Sequence, residues 1–201
     1  MNNRNKVNLS VKELLLTPFM IIPLLAYRKS TYRDRLEKDV DRFWSIHFGH
    51  FPDSYDKGII RELVKCPEFR NLFYFRLGRI GRILSRLSLF FLPKMLLLRF
   101  GIRRENLGGG LFIQHGFNTG ITAEKIGENC WLNQNVTMGW EKDGKPTLGN
   151  NVRLATYSIV LGKIHIGDNV TIGAGTTVVR DVPANTLVVS QKPRYIPKEN
   201  K

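Results

Sequence analysis

From Leu107 to Val178 an aliphatic or near-aliphatic side chain keeps returning on a six-residue period, at Leu107, Ile113, Ile126, Leu132, Met138, Leu148, Leu154, Val160, Ile166, Ile172 and Val178. An amphipathic α-helix cannot have that period, and a β-sandwich needs irregular spacing and antiparallel turns. Hexads build a parallel β-helix, three of them closing one triangular coil. Gly or Ala follows the aliphatic at Gly108, Gly127, Gly149, Ala155, Gly167 and Gly173. A second, mostly small or branched residue comes four positions after it, at Leu111, Phe117, Cys130, Val136, Val152, Ser158, Ile164, Val170 and Thr176. The aliphatics are expected to fill the prism. Gly127, Asn129, Gly149, Asn151, Gly167 and Asn169 suit corners that need close approach or a positive φ.

A chain of 201 residues with 42% hydrophobic content suits one such domain plus a smaller attachment. The boundaries read as a helical region 1–106, a β-helix 107–182 with an external loop 139–147, and a tail 183–201. The net charge of +14 sits mostly ahead of the repeat. Cys66 and Cys130 are too few and too distant for a disulfide framework or a zinc site.

No cleavable signal peptide is evident, so cytoplasmic residence is the expectation. The apolar run Leu14–Tyr27, interrupted by Pro18 and Pro23, is too short to span a bilayer. Between Phe69 and Leu87, Arg76, Arg79, Arg82 and Arg86 fall three or four apart while Leu77, Ile80, Ile83, Leu84 and Leu87 take another face. That pattern predicts a basic amphipathic helix, followed by a second apolar run to Phe100. Both runs suit either internal packing or peripheral contact with the anionic inner face of a membrane. Nucleic acid is not expected, because the cations are not interleaved with stacking aromatics and no reading motif is present.

Two histidines lie in the repeat. His165 occupies a regular hexad and is expected to point to solvent. His115 sits where the period is disturbed and glycines cluster, in Phe112-Ile-Gln-His-Gly-Phe-Asn-Thr-Gly120, a place where a base can approach a hydroxyl closely. A second break, Gly139 to Thr147, reads as a loop walling the same site. Two histidines 50 positions apart do not make a metal site, so no metal is expected.

Gln114-His-Gly116, the stretch Ile126–Gly139, the Lys145-Pro-Thr-Leu-Gly149 loop exit and Ile166–Gly175 resemble the serine acetyltransferase branch of the hexapeptide acyltransferases. The resemblance covers about residues 99–198 and is closest to bacterial polysaccharide-biosynthesis members; Pro67–Tyr74 is similar to the helical segment ahead of the repeat. It implies a left-handed parallel β-helix, a homotrimer with sites between neighbours, and acetyl-CoA as co-substrate. It also implies His115 as general base, Gly139 near the oxyanion, Thr156 and Ala174 along the pantetheine, and Lys192, Arg194 and Lys198 toward the nucleotide phosphates. Gln114, Trp140, Asp143 and Lys145 are the candidate acceptor contacts. The chain departs from the family where an Asp precedes the base (Gln114), where an Arg-His pair holds the serine carboxylate (Gly144-Lys145), and where an upstream Asp orients the base (Phe100). Glu105 is an acid near in sequence, and a backbone carbonyl could orient the base instead. Those departures argue against serine, and the resemblance to polysaccharide-biosynthesis members implies O-acetylation of a sugar hydroxyl in surface or capsular polysaccharide synthesis. Serine O-acetylation and a non-catalytic trimeric scaffold are the alternatives.

Overall fold

The computed structural model describes residues 4–6, 8–88 and 91–191. Helices come first: α1 (Val11–Arg28), α2 (Arg33–Phe48), α3 (Tyr55–Lys65), α4 (Pro67–Arg76) and α5 (Gly78–Leu87). A two-stranded ladder, β1 (Arg4–Asn5) on β2 (Phe51–Pro52), ties the start of the chain to the α2–α3 connection. Ser10 and Glu13 cap α1 reciprocally. Contrary to the sequence reading, Pro18 and Pro23 do not interrupt this segment. Both lie inside a continuous helix, where the Thr17 hydroxyl donates to the Glu13 carbonyl in the turn ahead of Pro18. Among the described residues no helix is long and apolar enough to cross a membrane.

The single helix expected from Phe69 to Leu87 is two. The chain breaks at Leu77-Gly78, where Gly78 takes φ +62°, a conformation that favours glycine. The break separates Arg76 from the other arginines of the expected stripe. Its side chain is wholly buried, pairs with the buried Asp39 of α2 at 2.9 Å, and donates to the carbonyls of Leu107 and Gly108 at 2.6 and 2.5 Å. Asp39 in turn accepts from the Leu111 amide at 3.0 Å. This pair fastens the helices to the first coil.

The remaining strands wind into a parallel β-helix of three sheets. One face stacks β4 (Phe112–Ile113), β7 (Trp131–Leu132), β10 (Arg153–Leu154), β13 (Thr171–Ile172) and β15 (Leu187–Val188). The next stacks β3 (Leu98–Phe100), β5 (Thr119–Ile121), β8 (Thr137–Gly139), β11 (Ile159–Leu161) and β14 (Thr177–Val178). The third stacks β6 (Lys125–Ile126), β9 (Thr147–Leu148) and β12 (His165–Ile166), extended by parallel bridges to Leu107 and Val182. Every hexad aliphatic is buried. Of the second-position residues, Ile164 is only partly buried and Phe117 is exposed, contrary to expectation, while Ile121 and Ala123 fill the core of that coil. The corner residues Asn129, Asn151, Asn169 and Asn185 all take φ near +57°, and their side chains form a ladder, Asn151 to Asn169 to Asn185, at 2.9 Å per rung. Asparagine tolerates that backbone and pairs with itself one coil on.

Gly127 follows its hexad aliphatic for a different reason: a Cβ there would stand 2.4 Å from the Gly149 carbonyl oxygen of the next coil. Gly127→Ala is expected to lower stability by about 1–3 kcal/mol, because backbone must shift to admit the methyl. A chemical denaturation curve with an unchanged midpoint would refute that account.

Candidate functional site

β4 runs straight into Gln114-His115-Gly116, and the coil register explains why the chain bulges there. Ile113 pairs with Leu132 and Ile121 with Met138, so the corner between β4 and β5 holds two more residues than the Leu132-to-Met138 corner stacked on it. The extra length projects His115, exposed and at φ +51°, beyond the stacked edge. Gly116 must be glycine, since a Cβ would lie 2.6 Å from the Ile113 side chain.

The bulge faces a cavity of about 380 Å³ between the solenoid and α2–α4. Three helices supply its charge. Glu68, one residue past the Pro67 that opens α4, accepts from the Gly116 amide at 3.2 Å and from the Cys66 thiol at 3.4 Å, so it braces the turn that carries His115. Burial pushes the Cys66 thiol far up, which leaves it protonated and unreactive. Glu62, nearly fully buried on α3, faces His47 of α2 at 3.4 Å. Arg61 and Lys65, from α3, also line the cavity and pair with the buried Glu13 of α1. Two carboxylates, a histidine and two cations thus line the cavity that His115 edges.

Glu62 holds the His47 imidazole above its ordinary range, against the opposing effect of burial. A raised folded-state pKa means the pair's stabilisation is complete below the unfolded value of about 6.5 and is lost as pH rises through the folded value. Melting temperature is therefore expected to decline from pH 6 to pH 8, and His47→Gln should flatten part of that slope; parallel pH profiles for the two proteins would overturn the assignment.

The edge above His115 continues through Asn133-Gln134, Ala155-Thr156 and Gly173-Ala174, each following a strand of the same face. Thr156 and Ala174 thus stand over His115, with the Thr156 hydroxyl donating to the Gln134 carbonyl at 3.1 Å. The Asn133 Oδ1 and Gln134 Oε1 atoms are buried acceptors with no partner among the described residues. Sequence reasoning missed both, since their hexad carries no irregularity. It missed Glu68 and Glu62 too, whose place beside His115 depends on how α3 and α4 fold back. Gln114 lines the same cavity as His115, its Oε1 accepting from Trp131 Nε1 at 3.2 Å and Asn133 Nδ2 at 3.1 Å.

The other expected positions lie elsewhere. Gly139, Trp140, Asp143 and Lys145 leave β8 toward β9, a different corner of the prism, where Glu141 and Gly144 exchange backbone hydrogen bonds in a small antiparallel turn. That loop does not wall His115 within one chain. Phe100 stacks on Phe75 at 4.5 Å between centroids, and Glu105 lies in an exposed 3-10 turn lining a different cavity. Lys192, Arg194 and Lys198 lie outside the described residues. His165 is exposed, as its hexad predicts. Among the described residues no group of His, Cys, Asp and Glu could hold a metal ion.

The pattern described as "Bacterial transferase hexapeptide (six repeats)" matches residues 145–180. A serine acetyltransferase of Synechococcus elongatus is 43% identical over 131 residues, 62% of this chain and 51% of that protein, so the match spans about half of that relative's length. One from Helicobacter pylori is 37% identical over 134 residues, covering 60% of this chain and 78% of that one. Among solved structures, Neisseria gonorrhoeae serine acetyltransferase in complex with serine superposes with a TM-score of 0.61 at 22% identity, over 92% of this chain and 82% of that one. Brucella abortus serine acetyltransferase in complex with coenzyme A gives 0.59 at 20%, over 90% and 72%. At those identities the likeness is one of fold. The relatives correct the expected acceptor and the expected subgroup: they are serine acetyltransferases, not polysaccharide O-acetyltransferases. The hexad core, the coil register and the H. pylori relative together place the chain in the hexapeptide-repeat acyltransferase family.

Proposed function

We propose that the protein is an acetyl-CoA-dependent serine O-acetyltransferase with His115 as general base. The observation that carries this reading is the mixed charge around His115. An amino acid zwitterion needs an acid for its ammonium and a cation for its carboxylate beside the reacting hydroxyl, and Glu62, Glu68, Arg61 and Lys65 all line one cavity with His115. The naming of the relatives supports the same acceptor. In this reading His115 takes the proton from the serine hydroxyl as its oxygen attacks the thioester carbonyl. The C–O bond forms, the C–S bond breaks, and the imidazolium returns the proton to the departing thiolate. The unpartnered Asn133 and Gln134 acceptors, with Thr156 and Ala174 beyond them, suit the amide donors of a pantetheine arm lying along the edge. The assembly is a trimer, in which a neighbour's 139–147 loop, with Gly139, Trp140, Asp143 and Lys145, completes the second wall.

Thiol release from acetyl-CoA, followed with free L-serine and without acceptor, tests the proposal. Serine-dependent release is the expected result. Release that never exceeds the no-acceptor rate over millimolar serine would overturn it.

A further inference from the structure

The solvent face of α1 is unusually apolar for a helix on a globular surface. Its inward side buries Met20, Pro23 and Tyr27, with Glu13 paired to Arg61 and Lys65, and yet Val11, Leu14, Leu15, Pro18, Phe19, Ile21, Ile22 and Leu25 are all exposed. At 100° per residue these eight cover a continuous arc of the helix, wider than the usual buried stripe. The neighbouring α5 presents Ile80, Ile83 and Leu87 outward beside Arg79, Arg82 and Arg86. Phe19 of α1 stacks on the exposed Phe91 just past α5 at 5.4 Å, which joins the two apolar faces. So large an unpartnered apolar surface marks an interaction site.

We propose that this face docks on an anionic lipid bilayer, lying in the headgroup region. Charge selects the occupant. From Leu77 to Arg104 the sequence contains seven cations, Arg79, Arg82, Arg86, Lys94, Arg99, Arg103 and Arg104, and no Asp or Glu. Lys12, Arg28 and Lys29 border α1 and are exposed. Arg79, Arg82, Lys94, Arg103 and Arg104 converge on a cavity of about 550 Å³ between α5 and the first coil, with Glu105 the one acid lining it. A second copy of the same face would bring these cations against each other, whereas anionic headgroups neutralise them while the acyl boundary takes the apolar side chains.

Flotation of the full chain with vesicles is the test. The protein is expected to rise with phosphatidylcholine vesicles containing phosphatidylglycerol and to stay behind with phosphatidylcholine alone. Leu15→Gln/Ile22→Gln, at positions 71% and 61% exposed, should abolish flotation. Arg79→Gln/Arg82→Gln/Arg86→Gln should lower partitioning about fivefold per cation, the equivalent of about 1 kcal/mol each. Failure to float with anionic vesicles overturns the proposal, as does flotation that neither variant reduces. If the protein does not float and Leu15→Gln/Ile22→Gln instead lowers its sedimenting mass in vesicle-free buffer, the face joins copies of the chain and the lipid assignment falls.

Discussion

His115→Asn is expected to cut serine acetylation by about 10²–10⁴-fold, the usual contribution of a general base, without loss of folded protein. Asparagine is the informative replacement because position 115 sits at φ +51°, a conformation asparagine adopts readily and alanine less so. The exchange therefore removes the proton acceptor while leaving the turn, its Phe117-to-His115 backbone hydrogen bond and the Gly116–Glu68 contact in place. The loss should fall on kcat, with the KM for acetyl-CoA little changed, since the side chain is exposed and acts only on the hydroxyl proton. A variant with wild-type kcat would eliminate His115 as the base.

Arg76→Met carries the largest expected effect on stability. It strands the Asp39 carboxylate, fully buried, without its partner, takes the Arg76 donor from the Gly108 carbonyl, and leaves the Leu107 carbonyl with Arg35 alone. Breaking a buried pair in this way costs about 3–5 kcal/mol. At roughly 2–4 °C per kcal/mol for a chain of this size, the melting temperature should fall by about 6–20 °C. Arg76→Met/Asp39→Leu should recover only part of that loss, because the Leu111 amide then lacks its acceptor. A single variant that melts within a degree or two of the parent would show that the pair is not what fastens the helices to the first coil.

The two sites were unequally legible in the sequence. The solenoid core could be read off because each coil repeats the same demand: one aliphatic inward, one residue able to turn the corner. Phe117 was misplaced because the His115 corner carries two extra residues, which shifts every following side chain until Ile121 restores the register. The amphipathic stripe of 69–87 was half right. Arg79, Arg82 and Arg86 are exposed, but Gly78 turns the chain and sends Arg76 into the interior, where its use depends on Asp39, 37 positions earlier. His115 announced itself by its glycine-rich setting. Its charged surroundings did not, since Glu62 and Glu68 come from helices whose position relative to β4 is a matter of tertiary packing.

The asparagine ladder limits how such a chain can change in length. Its rung from Asn151 to Asn169 spans 18 positions, and the same interval returns the aliphatic at 154 to 172 and at 160 to 178. An insertion or deletion that is not a multiple of six would set an aliphatic against a corner on every later turn unless a corner absorbs it, as the His115 bulge and the 139–147 loop do. Growth or shortening without loss of fit is therefore confined to whole coils or to corners, while the end fastened at Arg76 stays as it is.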